Sequence, residues 1–219
     1  MGVRLPKINQ IILIIIVAEF VLVTAFGFLS PIFAVFVTEQ IRNGTVKVVG
    51  FALTIYWVTK SIIQLFVARY LDKNHGEVDD FYFLITGALL NALWVSLYYF
   101  AQETWHVYTL HFMVGISDAM LVPPFYGIFT RHIDKGQEGF EWSLYSSFSL
   151  GAGSALGGAL GGILAAAAGF RIIFPIVGLL TFISAIMLIF LRPYIIPRHT
   201  RLPEPPKDHF RLPIERKKM

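Results

Sequence analysis

The stretch GAGSALGGALGGILAAAAG, residues 151–169, consists almost entirely of glycine and alanine. Two ladders of small residues would run along one side of a helix formed by it: Gly153, Gly157 and Gly161, and beside them Ser154, Gly158 and Gly162. In water this would be a poor helix, because each glycine costs roughly 1 kcal/mol relative to alanine. In lipid, small residues let helix backbones approach and pack closely. We therefore predict a close-packing helix face, which either packs within one bundle or lets two bundles pack and slide.

The rest of the composition agrees with a membrane setting. Apolar residues make up 56% of the 219-residue chain, and the mean hydropathy is +0.65. Soluble domains of this size are less apolar, so the sequence predicts an integral membrane protein. Because the chain has no cysteine, a disulfide framework and a thiolate metal site are both excluded.

Six apolar segments, each long enough to cross a bilayer as a helix, divide the chain. They cover residues 8–37, 48–71, 81–101, 106–130, 142–169 and 172–191. The first segment is too long for the core of a signal peptide. We expect an all-α membrane domain over residues 1–192, followed by a flexible, basic, proline-rich tail over residues 193–219 that buries no core.

The basic residues between the spans and at their ends are divided unequally between the two sides. With six spans both termini lie on one side, which holds fourteen lysines and arginines, whereas the other side holds only Arg42, Lys47 and Arg171. The positive-inside rule therefore predicts that both termini are cytoplasmic. The expected location is the plasma (inner) membrane, which the chain crosses several times.

Four ionisable side chains lie inside the predicted spans: Glu19, Lys60, His111 and Asp118. A charge at the centre of a bilayer costs at least ~2.5 kcal/mol, so such side chains usually face a bundle interior or a wet cavity. The third and sixth spans have none. We therefore expect spans one, two and four inside the bundle and spans three and six outside it.

Helical spacing groups the polar residues of these spans on two faces: Tyr56, Lys60 and Gln64 on the second span, and His111 and Asp118 on the fourth. Glu19 and Lys60 lie at similar depths, about 13 Å from the same ends of their helices. They could meet as an ion pair that merely fastens the first helix to the second. The functional alternative is that Glu19 or Asp118 exchanges a proton.

Three stretches carry a resemblance. Residues 149–176 read SLGAGSALGGALGGILAAAAGFRIIFPI, residues 110–134 read LHFMVGISDAMLVPPFYGIFTRHID, and residues 68–76 read ARYLDKNHG. In this order they resemble the fifth helix, the fourth helix and the cytoplasmic loop after helix two in transporters of the major facilitator superfamily. His111 stands where many members have an arginine. The resemblance implies a six-helix half bundle, built from two inverted three-helix units.

The loop after the second span departs from the family pattern. Ala68 stands in place of the first glycine, and the acidic residues Glu77, Asp79 and Asp80 replace the usual basic pair. The resemblance still implies a cytoplasmic gate formed by three residues: Asp72, Arg131 and Glu141.

Members of this family generally have twelve helices in two halves related by an axis along the membrane normal, with substrate between them. Two copies of a six-helix chain could replace these halves. The resemblance therefore implies a homodimer in which helix five of one copy packs on helix two of the other. The packing face would contain Gly153, Gly157, Gly158, Gly161 and Gly162, and the cavity would be lined twice by Glu19, Lys60 and Asp118.

In function, the resemblance implies secondary active transport of a small organic or amphiphilic solute by alternating access, coupled to protons. The expected partners are this solute and the lipid bilayer, with no cofactor and no nucleic acid. The alternative is a non-catalytic membrane scaffold, or a half-transporter subunit that requires another chain. An enzyme is not expected, because HExxH, GxSxG and P-loop patterns are absent, and His111 with Asp118 lacks a nucleophile or a third metal ligand.

Overall fold

The computed structural model describes residues 8–74 and 76–195, which are almost entirely helical. The helices are α1 Gln10–Leu29, α2 Phe33–Gln40, α3 Val46–Asn74, α4 Glu77–Leu97, α5 Thr104–His132, α6 Glu138–Leu144, α7 Gly153–Ala168, α8 Ile173–Ile189 and α9 Arg192–Ile195. Six helical segments are long and apolar enough to cross a membrane, which confirms the predicted all-α membrane fold. The predicted basic start at Arg4 and Lys7 and residues 196–219 of the predicted tail lie outside the described residues.

The first span is interrupted, although the sequence predicts one segment over residues 8–37. α1 ends at Leu29 and α2 begins at Phe33. Pro31 lies between them, and a proline cannot donate the backbone hydrogen bond that would continue the helix. By contrast, α5 runs through Pro123 and Pro124 without a break. Proline alone therefore does not decide where a helix of this chain ends.

The helix of the third span, α4, begins earlier than the predicted apolar segment. α4 starts at Glu77 rather than near Phe81, and its first turn contains Glu77, Asp79 and Asp80. Acidic side chains stabilise this end of a helix, because the N-terminal backbone N–H groups carry partial positive charge. The acidic residues that replace the family's basic pair thus belong to a helix start and not to a loop.

The fifth span changes its helical form along its length. Between α6 and α7, the π-helical segment Tyr145–Ala152 has a wider turn than an α-helix. Two contacts of this segment attach it to α1. The Ser149 hydroxyl donates a hydrogen bond to the Ile16 carbonyl oxygen at 2.8 Å, and the Phe148 ring stacks on Phe20 with 4.5 Å between ring centroids.

One of the two small-residue ladders packs inside the chain. A Cβ atom on Gly157 would lie 2.8 Å from the Gly27 Cα atom, and one on Gly161 would lie 2.5 Å from the Phe28 carbonyl oxygen. The buried ladder of Gly153, Gly157 and Gly161 therefore faces α1 and not a second copy of the chain. The other ladder stays open, because a Cβ atom on Gly158 or Gly162 would meet nothing within 4 Å.

The presence of a charged residue in a span does not predict how deeply its helix is buried in the bundle. In the apolar stretches of α4 and α8, 44% of the residues are buried, whereas in α3 only 11% are. α4 packs on α5 and α8, and α8 packs on α1 as well. The expectation that span two lies inside and spans three and six outside is therefore wrong. A helix needs only one polar face toward a cavity, so an intramembrane charge does not report how completely the helix is surrounded.

Arg171 links several helix ends at the end of the bundle opposite the N-terminus, and we call this the Arg171 end. The Arg171 guanidinium donates to the Tyr99, Ala101 and Gln40 carbonyl oxygens at 2.8, 2.9 and 3.1 Å. These oxygens belong to the ends of α2 and of the 3-10 turn Tyr98–Phe100 after α4. A cation is favourable at the C-terminal end of a helix. Arg171 therefore joins the turn between α7 and α8 to the end of α2 and to the turn that follows α4.

Candidate functional site

A cavity of about 970 Å³ opens between α1, α3 and α5, with α7 at its rim. It extends from Glu19 and Asp118, near the middle of the bundle, to Ala34 and Val49 near the Arg171 end. Pockets of this size hold small organic molecules. The lining is mostly apolar, and its aromatic side chains are Phe26, Phe33, Tyr56, Trp57, Tyr98 and Phe174.

Asp118 is the centre of a polar cluster at the deep end of this cavity. Its carboxylate forms an ion pair with the Lys60 ammonium at 3.2 Å and accepts a hydrogen bond from the Asn91 amide at 2.5 Å. The Tyr56 hydroxyl also donates to Asp118, and Lys60 Nζ lies 3.1 Å from the Tyr56 oxygen. Asp118 and Tyr56 line the cavity, whereas Lys60 and Asn91 do not, so the expectation that Lys60 lines it is wrong.

Two glycines bring the helices of this cluster together. A Cβ atom on Gly115 would lie 2.9 Å from the Tyr56 carbonyl oxygen, and one on Gly87 would lie 2.8 Å from the Ser117 carbonyl oxygen. Their absence of side chains lets α3 and α4 approach the α5 backbone. Asp118 lies one turn beyond Gly115 and meets both neighbouring helices. The local sequence of α5 and α4 thus positions the ion pair and its amide partner.

Glu19 lies apart from this ion pair. Its side chain is buried, with 6% of the residue exposed, and it lines the cavity. Within residues 8–74 and 76–195, Glu19 has no hydrogen-bond or ion-pair partner. The expected Glu19–Lys60 ion pair is therefore wrong, because the Lys60 ammonium is turned toward α5 and binds Asp118 instead. One carboxylate in the cavity is consequently left without an ion-pair partner among the described residues.

His111 lines the same cavity about two turns closer to the Arg171 end than Asp118. Its Nδ1 atom lies 2.5 Å from the Tyr98 hydroxyl oxygen and 3.1 Å from the Val107 carbonyl oxygen. Both contacts hold the imidazole ring on the protein side of the cavity wall. Gln64, which shares the face of Tyr56 and Lys60, is half-buried and does not line the cavity. It lies one turn beyond Lys60 along α3, towards the end of the bundle that holds the N-terminus of the chain.

The expected gate residues are arranged differently from the family-based expectation. Arg131 binds Glu77, at 3.0 Å, and Asp80, because α4 begins beside the end of α5. Asp72 is exposed and lines a separate cavity of about 310 Å³ next to Arg131, without an ion pair among the described residues. Glu141 is fully buried, and its carboxylate accepts a hydrogen bond from the Asp134 N–H at 3.3 Å. Arg131 thus forms its ion pairs with α4 and not with Asp72 or Glu141.

Sequence reasoning missed three residues of these sites: Asn91, Tyr98 and Glu77. Asn91 and Tyr98 carry no charge at neutral pH, so intramembrane charge does not point to either of them. A polar amide inside an otherwise apolar span was the available signal for Asn91, since such groups seek partners on neighbouring helices. Tyr98 follows α4 directly and carried no such signal, because tyrosine is common near helix ends in membranes.

No group of three or more His, Cys, Asp or Glu side chains that could hold a metal ion occurs in the described part of the chain. The carboxylates of the cavity are one ion-paired group and one isolated group on different helices. The arrangement can therefore bind a proton or an organic cation, and it offers apolar and aromatic surface beside these charges.

The fold and this cavity together define a class of protein: a six-span helical membrane protein with a solute-sized cavity that holds charged groups at mid-depth. The chain belongs to the Major Facilitator Superfamily, whose family model matches residues 15–217. The match covers nearly all of the chain and confirms the resemblance that the helix-five glycines indicate.

Curated relatives include the "Multidrug resistance protein MdtG" of Citrobacter koseri, which is 24% identical over 180 residues. That alignment covers 82% of this chain and 44% of the relative. The proteins of the same name from Salmonella schwarzengrund and Salmonella arizonae are 23% identical with the same coverage. The chain thus spans less than half the length of these relatives.

Proposed function

We propose that this protein takes part in secondary active transport, in which a small organic solute binds in the cavity between α1, α3 and α5 and access alternates between the two sides of the membrane. The observation that supports this proposal is a large apolar cavity that ends on a buried, unpaired carboxylate, Glu19. A packing scaffold has no need of such a group, because burying a carboxylate without a partner is costly.

The charges of the cavity favour a cationic solute. Glu19, Lys60 and Asp118 together carry one more negative than positive charge when all three are ionised. Lys60 already compensates Asp118, so the remaining negative charge belongs to Glu19. A proton or an organic cation on Glu19 would neutralise the site. We infer that the two compete there, which couples solute movement to protons in the opposite direction.

Ethidium, an aromatic organic cation, is a suitable probe of this function. Purified protein in liposomes with an imposed pH gradient is expected to accumulate it, and Glu19→Gln is expected to lower the initial rate at least ~10-fold, because the variant has lost the charge that binds cation and proton. Glu39→Gln is the matched control, since Glu39 is exposed outside the cavity and its substitution should leave the rate unchanged. Undiminished, gradient-dependent uptake by Glu19→Gln would contradict the assignment.

A second six-helix bundle is needed to cover the open side of the cavity, and we propose that a second copy of the chain supplies it. α3 and the span Glu138–Ala168 have the lowest buried fractions, 11% and 22%. Both border the cavity, through Leu53 and Trp57 on α3 and Ser154 and Gly158 on α7. If lipid covered this side, the carboxylates would face hydrocarbon at a high cost. The open ladder of Gly158 and Gly162 suits close approach of a helix from the partner.

Disulfide crosslinking tests this arrangement. Because the chain has no native cysteine, any disulfide must join the introduced cysteines. Membranes containing chains with Ala155→Cys and Ile63→Cys are expected to give a disulfide-linked dimer on mild oxidation. The control pair is Leu179→Cys with Ile63→Cys, because Leu179 is exposed on α8, away from the cavity, and should give no dimer. Equal yields from both pairs would argue against the interface, and dimers without ethidium uptake would favour the scaffold alternative.

A further inference from the structure

In the half of the cavity nearest the Arg171 end, Tyr98 and His111 form a polar pair among aromatic rings. Tyr98 and His111 are 4% and 9% exposed, and both line the cavity. His111 Nδ1 is occupied on the protein side by the Tyr98 hydroxyl and the Val107 carbonyl oxygen. His111 Nε2 has no hydrogen-bond partner among the described residues. It is not one of the fully buried polar atoms that lack a partner, so it is accessible from the cavity. This nitrogen is therefore available to whatever occupies the cavity.

The neighbours of His111 hold its ring in place. The Phe33 ring centroid lies 4.8 Å from the imidazole centroid, and Tyr98 stacks on Phe174 with 5.2 Å between centroids. A ring held by a hydrogen bond at Nδ1 and by aromatic contacts presents Nε2 in one fixed direction. Among the described residues, Glu19 and Asp118 are the acidic or basic side chains beside His111 that line this cavity, so the Nε2 atom offers a hydrogen bond in a mostly apolar setting.

The spacing along α5 gives the distance between the two polar ends of the cavity. His111 and Asp118 are seven residues apart on one helix face, which corresponds to about 10 Å along the helix axis. The surface between them is apolar and includes Val114. A solute whose cationic group lies beside Glu19 and Asp118 can thus place a second group beside His111 only if that group is about 10 Å away.

We propose that His111 is a second recognition point of the cavity, which selects organic cations that carry a neutral hydrogen-bonding group about 10 Å from the charge. This inference rests on the proposed function and adds the solute class to it. A buried site that hydrogen-bonds a ligand group disfavours analogues that lack the group, because its own polar atom is then left unpaired. The pair of Tyr98 and His111 is a positioning device for this nitrogen and not only a link between α4 and α5.

Two amines that differ in one hydroxyl test the proposal: phenylbutylamine and its para-hydroxy derivative. Their affinities for the purified protein in lipid nanodiscs are measured by calorimetry. The parent protein is expected to bind the hydroxylated amine about fivefold more tightly. His111→Leu should abolish this preference, and His111→Gln, which keeps a hydrogen-bonding side chain, should retain part of it. His111→Phe preserves a ring beside Phe33 and replaces His111→Leu if the leucine variant does not fold.

The remaining arms separate failure of this inference from failure of the proposed function. Glu19→Gln is expected to weaken both amines alike and to leave their affinity ratio unchanged. Equal binding of the two amines by the parent, or an unchanged ratio in His111→Leu, would overturn the second recognition point while leaving the cation site intact. If the parent binds neither amine, the cation site and the inference built on it are both overturned.

Discussion

Gly157→Ala is expected to lower the free energy of unfolding by about 2–3 kcal/mol, the cost of overpacking a closely packed interface. The added Cβ atom would lie 2.8 Å from the Gly27 Cα atom and 3.1 Å from the Gly27 carbonyl carbon. Both are backbone atoms, so the clash is relieved only by separating α7 from α1. The measurement is unfolding of the purified protein in mixed micelles, followed by helical circular dichroism.

Gly158→Ala is the matched control, because it lies next to Gly157 on the same helix. Its new Cβ atom would meet nothing within 4 Å, and alanine is the better helix former by up to ~1 kcal/mol. Measured on the monomer in micelles, where the proposed interface with a second copy is not formed, this variant should be as stable as the parent or slightly more stable. Equal destabilisation by both alanines would mean that α1 and α7 do not pack along the Gly153–Gly157–Gly161 ladder.

Asp118→Asn is expected to abolish ethidium uptake and to destabilise the protein by about 2–4 kcal/mol, because it leaves the Lys60 ammonium in the bundle without its counter-ion. The two side chains are only 15% and 18% exposed. Adding Lys60→Gln to Asp118→Asn removes the second charge and should recover most of the stability. Transport should stay abolished in the double variant, because the Asp118 carboxylate, which lines the cavity together with Glu19, is still missing beside the cationic group of the solute.

The measurement is a double-mutant cycle on the free energy of unfolding, run beside the uptake assay. The control cycle uses Arg42 and Glu103, an exposed pair at 2.9 Å, whose coupling should stay below about 1 kcal/mol. A coupling energy between Lys60 and Asp118 no larger than that of the control would contradict the buried ion pair. Recovery of uptake in the stable double variant would show that the pair serves folding alone.

The intramembrane charges show how far sequence reasoning reaches in this protein. Spacing correctly places Tyr56 and Lys60 on one face of α3, and depth makes Glu19 a reasonable partner for Lys60. In the structure Lys60 forms its ion pair with Asp118 instead, because Gly115 allows α3 to pack closely against α5. Asn91 joins the same carboxylate through the close approach at Gly87. Depth along each helix is readable from the chain, but rotation of one helix against another is not.

The glycines of helix five lead to the same distinction. The sequence alone determined that this chain forms six membrane-spanning helices and that one of them is built for close approach, because hydropathy and small-residue spacing are local properties of the chain. Only the tertiary structure decided that Gly153, Gly157 and Gly161 face α1 while Gly158 stays open beside the cavity. Neighbouring residues on a helix point about 100° apart, so the rotation of α7 about its own axis decides which ladder is buried. That rotation is determined by contacts with α1, which lies more than a hundred residues away in the sequence.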